Sequence, residues 1–208
     1  GYTCADLFFQ EALLKNAEKS VSKICKHTTD KDIFLAVGAP ISVDDRLYNT
    51  AVVISKGKIL GIVPKKYLPN YAEFYEQRWF SPAPDEECYI NYAGEEVLFT
   101  NKVIFVNENF PNLKIGIEIC EDLWAPIPPS KFLALGGANV ILNLSASNEV
   151  LGKKEYRMNL IKSQSASINS AYIYADASWG ESSTDTVFSG DNYIAENGII
   201  LKNSEMFK

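Results

Sequence analysis

Apolar positions along this chain follow two periods, and the changes from one to the other mark its elements. Leu7, Leu14, Ala17, Val21 and Ile24 recur at three- and four-residue spacing, which predicts one face of a helix from about Ala5 to Lys26. Thr3, with Asp6 three residues later, predicts a capping box at its start. Ile33 to Val37 is a continuous apolar run, as in a strand covered on both faces. Ala51 to Ile54 and Ile59 to Val63 flank Ser55-Lys56-Gly57-Lys58 and predict a hairpin. Tyr67 to Phe80 mixes aromatic and charged residues without a clean period, so a loop with short helical turns is expected. Val97 to Phe99 and Val103 to Val106 suggest an antiparallel pair around Thr100-Asn101-Lys102.

The second half is more regular. Lys114 to Cys120 predicts a buried strand that stops abruptly at Glu121-Asp122 and a proline-rich stretch. Ser130 to Leu135 predicts a helix ending at Gly136-Gly137, and Val140 to Leu144 a second buried strand. Met158, Ile161, Ser165 and Ile168 give a helical pattern over Glu155 to Ile168, followed by a third buried strand from Tyr172 to Ala175. Thr186 to Leu201 predicts two strands around Glu196-Asn197-Gly198. Strands alternate with helices but include hairpins, so the pattern implies a mixed sheet in a layered α/β fold.

Composition narrows the classes. The 208 residues suit one sizeable core, and 47% hydrophobic with 22% charged residues is ordinary for a globular protein. No apolar stretch is long enough to span a bilayer, and Gly1 to Gln10 has no basic start of a signal peptide. A net charge of -6 argues against a general nucleic-acid or anionic-membrane surface. Cys4, Cys25, Cys88 and Cys120 are scattered, and reduced thiols in a cytoplasmic protein are expected. Without a CxxC pair, and with His27 as the single histidine, no zinc site is expected, and most Ser-His and Cys-His schemes are excluded. His27 lies in a polar stretch and reads as a solvated loop residue.

Two segments carry candidate chemistry. Cys120 closes a buried strand and opens a turn, a place where a fold can hold a thiolate nucleophile over a pocket. An inert buried cysteine is the alternative. Pro64 to Arg78 joins a lysine pair to aromatics and carboxylates, and a solvated charged loop is its alternative.

Taken together, these segments resemble the nitrilase, or carbon-nitrogen hydrolase, superfamily. They are most similar to the glutamine amidotransferase domains of glutamine-dependent NAD+ synthetases. The motifs are Gly1-Tyr2-Thr3-Cys4-Ala5-Asp6-Leu7-Phe8, Pro64 to Arg78, Ile117 to Trp124, and Leu144-Ser145-Ala146-Ser147. Trp179 to Asp185 and Gly190 to Ile194 complete the series. Several long motifs in the family's order are far more specific than any one of them.

The resemblance implies a four-layer α-β-β-α sandwich, a Glu-Lys-Cys triad, and homo-oligomers formed through helices. It makes Cys120 the nucleophile toward the glutamine side-chain amide and Lys65 the catalytic lysine. Lys66 competes by position, but the Tyr67-Leu68 spacing favours Lys65. Glu73 is implied as the glutamate that orients the lysine, and Tyr2, Tyr71, Glu121, Trp124 and Ser147 as glutamine-pocket residues. Glu121 suits an ammonium and Ser147 a carboxylate. Glu121 and Asp122 would by themselves disfavour a thiolate, which calls for a nearby cation.

The family's general-base glutamate should precede Gly1, together with the first strand, and the domain's end should follow Lys208. Residues 1–208 are thus expected to be a partial glutaminase domain with little activity of its own. No cofactor is expected in this domain. ATP and magnesium would belong to a synthetase domain beyond it, in a polypeptide delivering ammonia to deamido-NAD+. A stand-alone hydrolase of another amide or nitrile, or a non-catalytic scaffold, is the alternative.

Overall fold

The computed structural model describes residues 2–183 and 186–208; Gly1 and the Thr184-Asp185 pair, part of two family motifs, lie outside the described residues. The chain divides into two units, Cys4–Lys102 and Val103–Lys208, with Tyr2 and Thr3 belonging to the second.

The first unit is a five-stranded sheet with one long helix. Its strands are β1 (Phe34–Val43), β2 (Arg46–Ser55), β3 (Lys58–Pro64), β4 (Cys88–Tyr92) and β5 (Glu95–Phe99), in the order β1-β2-β3-β5-β4. The predicted β2–β3 hairpin is present, with Lys56 and Gly57 at φ 47° and 76°, the left-handed pair that a tight hairpin turn requires. Helix α1 (Glu11–His27) packs on β1, β2 and β3. Its Val21 and Cys25 enter a core with Ile41, Val52, Ile54, Ile62 and Phe99.

Three expectations fail here. The N-terminal helix is broken at Gln10, whose ψ of 123° separates a 3-10 turn (Ala5–Phe9) from α1. No capping box forms. Asp6 instead takes a two-point bond from Arg78 at 2.7 and 2.8 Å and the Trp79 indole N–H at 2.9 Å, while the Thr3 hydroxyl donates to the Glu181 carbonyl. Those bonds hold the Asp6 carboxyl well below the usual carboxylate range. The proposed pairing of Val97–Phe99 with Val103–Val106 is also wrong. β5 pairs with β4 and with β3, whereas β6 (Phe105–Val106) pairs with a strand of the second unit. β4 was hidden because its turn to β5 is Ala93-Gly94, at φ 54° and 84°, and alanine is not a usual left-handed residue.

The second unit is a six-stranded sheet, β11-β10-β9-β8-β7-β6. Three central strands, β7 (Lys114–Ile119), β8 (Val140–Ser145) and β9 (Ala171–Asp176), run parallel. Helix α2 (Pro129–Leu135) follows β7, and α3 (Lys153–Ser167) connects β8 to β9. Gly116 on β7 is required by close packing: a Cβ there would lie 2.9 Å from Ile141 and 3.0 Å from Leu133 of α2. The last hairpin is β10 (Tyr193–Glu196) and β11 (Ile199–Asn203), so residues 186–192, expected in a strand, are irregular. Each unit thus joins a sheet to its helices, as the expected nitrilase-like α/β class requires. Among the described residues no helix is long and apolar enough to cross a membrane.

Candidate active site

Parallel strands concentrate functional groups at their carboxyl ends, where the loops leave the sheet. In the second unit β7 leads into Cys120, β8 leads to Ser147, and β9 ends at Asp176. The register places Ile119 beside Leu144 and Ser145 beside Asp176, so the three ends lie level.

Cys120 is buried and adopts φ 48°, in the left-handed region that a non-glycine residue occupies at a cost. Its surroundings hold it there. The Cys120 N–H donates to Asn143 Oδ1 at 3.0 Å, and the Ile119 N–H donates to Asp122 Oδ2 at 2.9 Å. Asn143 donates in turn to the Tyr172 hydroxyl at 2.9 Å, and that hydroxyl donates to Glu118 Oε1. Glu118 also accepts the Ser130 N–H of α2 at 2.8 Å. Burial pushes the Glu118 carboxyl up and, with Glu118 beside it, the Tyr172 phenol far up. A buried polar chain therefore runs from α2 through side chains of β7, β9 and β8 to the backbone of the sharp turn. A non-glycine residue held at positive φ where a strand turns sharply is the backbone form that nucleophile elbows also use.

Of the other residues expected in a pocket of this unit, Glu121, Trp124 and Ser147 follow the ends of β7 and β8 along the chain. Glu121 and Trp124 follow Cys120 on its 3-10 turn, and the Trp124 ring stacks on Tyr156 with centroids 5.4 Å apart. Lys153 Nζ lies 5.3 Å from the Trp124 ring centre and donates to Asn148 Oδ1 at 2.5 Å. It stands in the segment after the buried Ser147, whose N–H donates to Asp176 Oδ1 at 2.8 Å. Tyr2 is half-buried.

Lys65, Tyr71 and Glu73 lie in the first unit. Lys65 is buried to 1% exposure, an unusual state for a lysine, and follows directly on β3. Its Nζ donates to Glu76 Oε2 at 2.6 Å, and Glu76 Oε1 accepts Asn49 Nδ2 at 2.7 Å. Glu76 is wholly buried, and nothing in the sequence distinguishes it from Glu73, the orienting carboxylate that the resemblance implies. Glu73 is half-buried three residues earlier, and Tyr71 is exposed with its ring edge-on to Phe74. Lys66 points elsewhere: its ammonium pairs with the exposed Asp85 at 2.8 Å, which separates the two lysines by environment.

All four cysteines are free thiols, and burial pushes the Cys25 and Cys88 thiols up. His27 ends α1 with its ring on the Lys23 carbonyl, in a helix rather than a loop. Glu11 and Glu18, on polar helix positions, bind Lys15 and the Ala93 N–H. Gly136 caps α2 and Gly137 follows at φ 101°, so this pair ends a helix. Among the described residues no three acidic, histidine or cysteine side chains are placed to hold a metal ion.

Comparison with known proteins agrees with this geometry. The carbon-nitrogen hydrolase family model matches residues 1–206. The whole chain is 42% identical over 207 residues to a glutamine-dependent NAD(+) synthetase of Mycobacterium bovis, covering 30% of that protein. It is 31% identical over 210 residues to one from Thermotoga maritima, covering 33% of it. The crystal structure of a glutamine-dependent NAD(+) synthetase from Cytophaga hutchinsonii matches 99% of the chain and 33% of its own, with a TM-score of 0.86 and 27% identity. The chain thus spans about a third of the length of these relatives. With a cysteine elbow at the end of a parallel strand and a family match along its length, the chain belongs to the carbon-nitrogen hydrolase family.

Proposed function

We propose that this chain is the glutaminase part of a glutamine-dependent NAD+ synthetase. The observation that carries the reading is Cys120, fixed at φ 48° at the end of β7 by Asn143, in a chain related along its full length to such synthetases. A primary amide resists hydrolysis, and a thioester divides the reaction into two easier steps. The Cys120 thiolate attacks the side-chain carbonyl carbon of glutamine. The Lys65 cation stabilises the oxyanion of the tetrahedral intermediate. The general-base glutamate that the resemblance implies passes the thiol proton to the departing nitrogen, and the carbon-nitrogen bond breaks to leave the thioester and ammonia. Water then cleaves the thioester to glutamate.

Glu121 is the acceptor for the substrate ammonium, and Ser147, with the Lys153 cation nearby, receives its carboxylate. Tyr2, Tyr71 and Trp124 shape the pocket, and Glu73 supports the lysine alongside Glu76. ATP and magnesium act in the synthetase part of the same polypeptide, which amidates deamido-NAD+ with the ammonia released here. The intact protein is a cytoplasmic homo-oligomer.

The test uses the native polypeptide containing this chain, with either glutamine or ammonium as nitrogen source. Cys120→Ala should abolish glutamine-dependent NAD+ formation and spare ammonium-dependent formation. Loss of both would make Cys120 structural, and retention of both would refute the reading.

A further inference from the structure

Behind Ser147 lies a buried ionic cluster that the reaction as described does not use. Arg157 of α3 is fully buried. Its Nη2 donates to Glu149 Oε2 at 2.6 Å and to Asp191 Oδ2 at 2.8 Å. Its Nη1 lies 3.4 Å from Ser147 Oγ and 3.9 Å from Asp176 Oδ2. Burial opposes the Arg157 charge, but Asp191 and Glu149 outweigh it and push its pKa up.

One guanidinium thus faces three carboxylates, and the cluster is not fully satisfied. Asp176 Oδ2, Asp191 Oδ1 and Arg157 Nε are buried without hydrogen-bond partners among the described residues. A cluster serving stability alone would be expected to close its bonds or be replaced by apolar packing. The position of Asp176 suggests another role. A single oxygen, Oδ1, accepts both the Ser147 N–H at 2.8 Å and the Ala177 N–H at 3.0 Å, tying the loop after β8 to the end of β9.

We propose that Asp176, backed by Arg157, is a positioning residue that fixes the Ser147 loop and thereby sets the affinity for the amino-acid end of the substrate. This rests on the glutaminase reading above. The hold depends on charge, because an ionised carboxylate accepts an N–H more strongly than a neutral one. Burial raises the Asp176 pKa to about 7, against which the Ser147 and Ala177 N–H groups, Arg157 and Lys153 act. The groups facing it are Arg157 and Lys153 from α3, Tyr174 from β9, Glu149 from the loop, and Asp191 with Tyr193 beside β10. Protonation below pH 7 weakens the bond to Ser147 and loosens the loop.

The test measures glutamine KM and kcat for the native polypeptide between pH 6 and 8, with Asp176→Asn and Asp191→Asn. Asparagine at 176 keeps an acceptor without its charge. It should raise KM about fivefold at pH 8, from the difference between charge-assisted and neutral hydrogen bonds, and leave kcat within about twofold. The unaltered protein should lose affinity as pH falls through about 7, and this step should vanish in Asp176→Asn. Asp191→Asn removes a charge from the same cluster but does not touch Ser147, so its KM should change by less than about twofold. Equal effects of the two variants, or an unchanged KM in Asp176→Asn, would overturn the inference. Amide exchange on the unaltered protein needs no variant. Ser147 should be less protected at pH 6 than at pH 8 after correction for intrinsic exchange, and equal protection also overturns it. Absence of glutamine turnover in the unaltered protein sinks the glutaminase reading and this inference together. Turnover with an insensitive KM sinks this inference alone.

Discussion

Removing either partner of the Lys65–Glu76 pair should be among the most damaging single changes in the first unit. The two side chains are 1% and 0% exposed, with Nζ and Oε2 2.6 Å apart. At an effective dielectric constant of about 20, charges at that distance attract by about 6 kcal/mol, much of which offsets their desolvation. The net worth of the pair is therefore modest, but removing one member takes away this attraction while the other keeps its desolvation cost. Glu76→Gln replaces the carboxylate that Lys65 binds with an amide, and Lys65→Met removes the cation bound to Glu76, which Asn49 also contacts. Each should cost about 3–5 kcal/mol. The double variant should cost several kcal/mol less than the sum, because neither charge is then stranded. Urea unfolding of the chain, followed by tryptophan fluorescence, reads this: the buried Trp79 donates its backbone N–H to the Glu76 carbonyl at 3.1 Å. Single variants costing under about 1 kcal/mol, or strictly additive ones, would refute the reasoning.

The network behind the elbow gives a second expectation. Tyr172→Phe strands Glu118 and the Asn143 amide in the interior, so it should cost about 1–3 kcal/mol in urea titration. Because Asn143 holds the Cys120 N–H, glutamate release should show a fall in kcat larger than any change in KM; unchanged kcat would contradict this. A third concerns pH and stability. Asp176, raised from 3.8 to about 7, keeps its proton between those values in the folded state while the unfolded chain has released its own. The unfolded state binds fewer protons there, so this group makes stability fall as pH rises from about 4 to 7 and adds no further slope above. The span corresponds to about 4 kcal/mol. Relative to the unaltered chain, Asp176→Asn should gain stability across that window in denaturant titrations at stepped pH; a parallel dependence would refute the assignment.

Sequence pattern revealed most of the second unit. Parallel strands buried on both faces read as short, mostly apolar runs, and Lys114–Cys120, Val140–Leu144 and Tyr172–Ala175 do so, with Glu118 and Asn143 as polar interruptions. The first unit was less legible because long-range contacts override local signals there. Asp6 looks like a helix cap, but Arg78 and Trp79, distant in sequence, claim it. Val97–Phe99 and Val103–Val106 are neighbours in sequence that join different sheets. Motif spacing favours Lys65 over Lys66, and the two differ in environment, Lys65 buried against Glu76 and Lys66 paired with the exposed Asp85. It could not reveal Glu76 itself, because Tyr67 to Phe80 has no period from which to tell a buried carboxylate from a solvated one. Arg157 and Asp176 were invisible for a related reason. A charged residue on a weakly amphipathic helix and an aspartate after a strand both read as surface positions, yet both side chains are buried.

The central claim, that Cys120 is the nucleophile toward the glutamine side chain, is tested most directly by covalent capture. A glutamine analogue carrying a diazoketone in place of the amide should add to the native polypeptide once per chain. Peptide mapping by mass spectrometry should place the adduct on Cys120, and excess glutamine should protect it. Labelling of Cys4, Cys25 or Cys88 instead, or labelling of Cys120 that glutamine does not slow, would contradict the account.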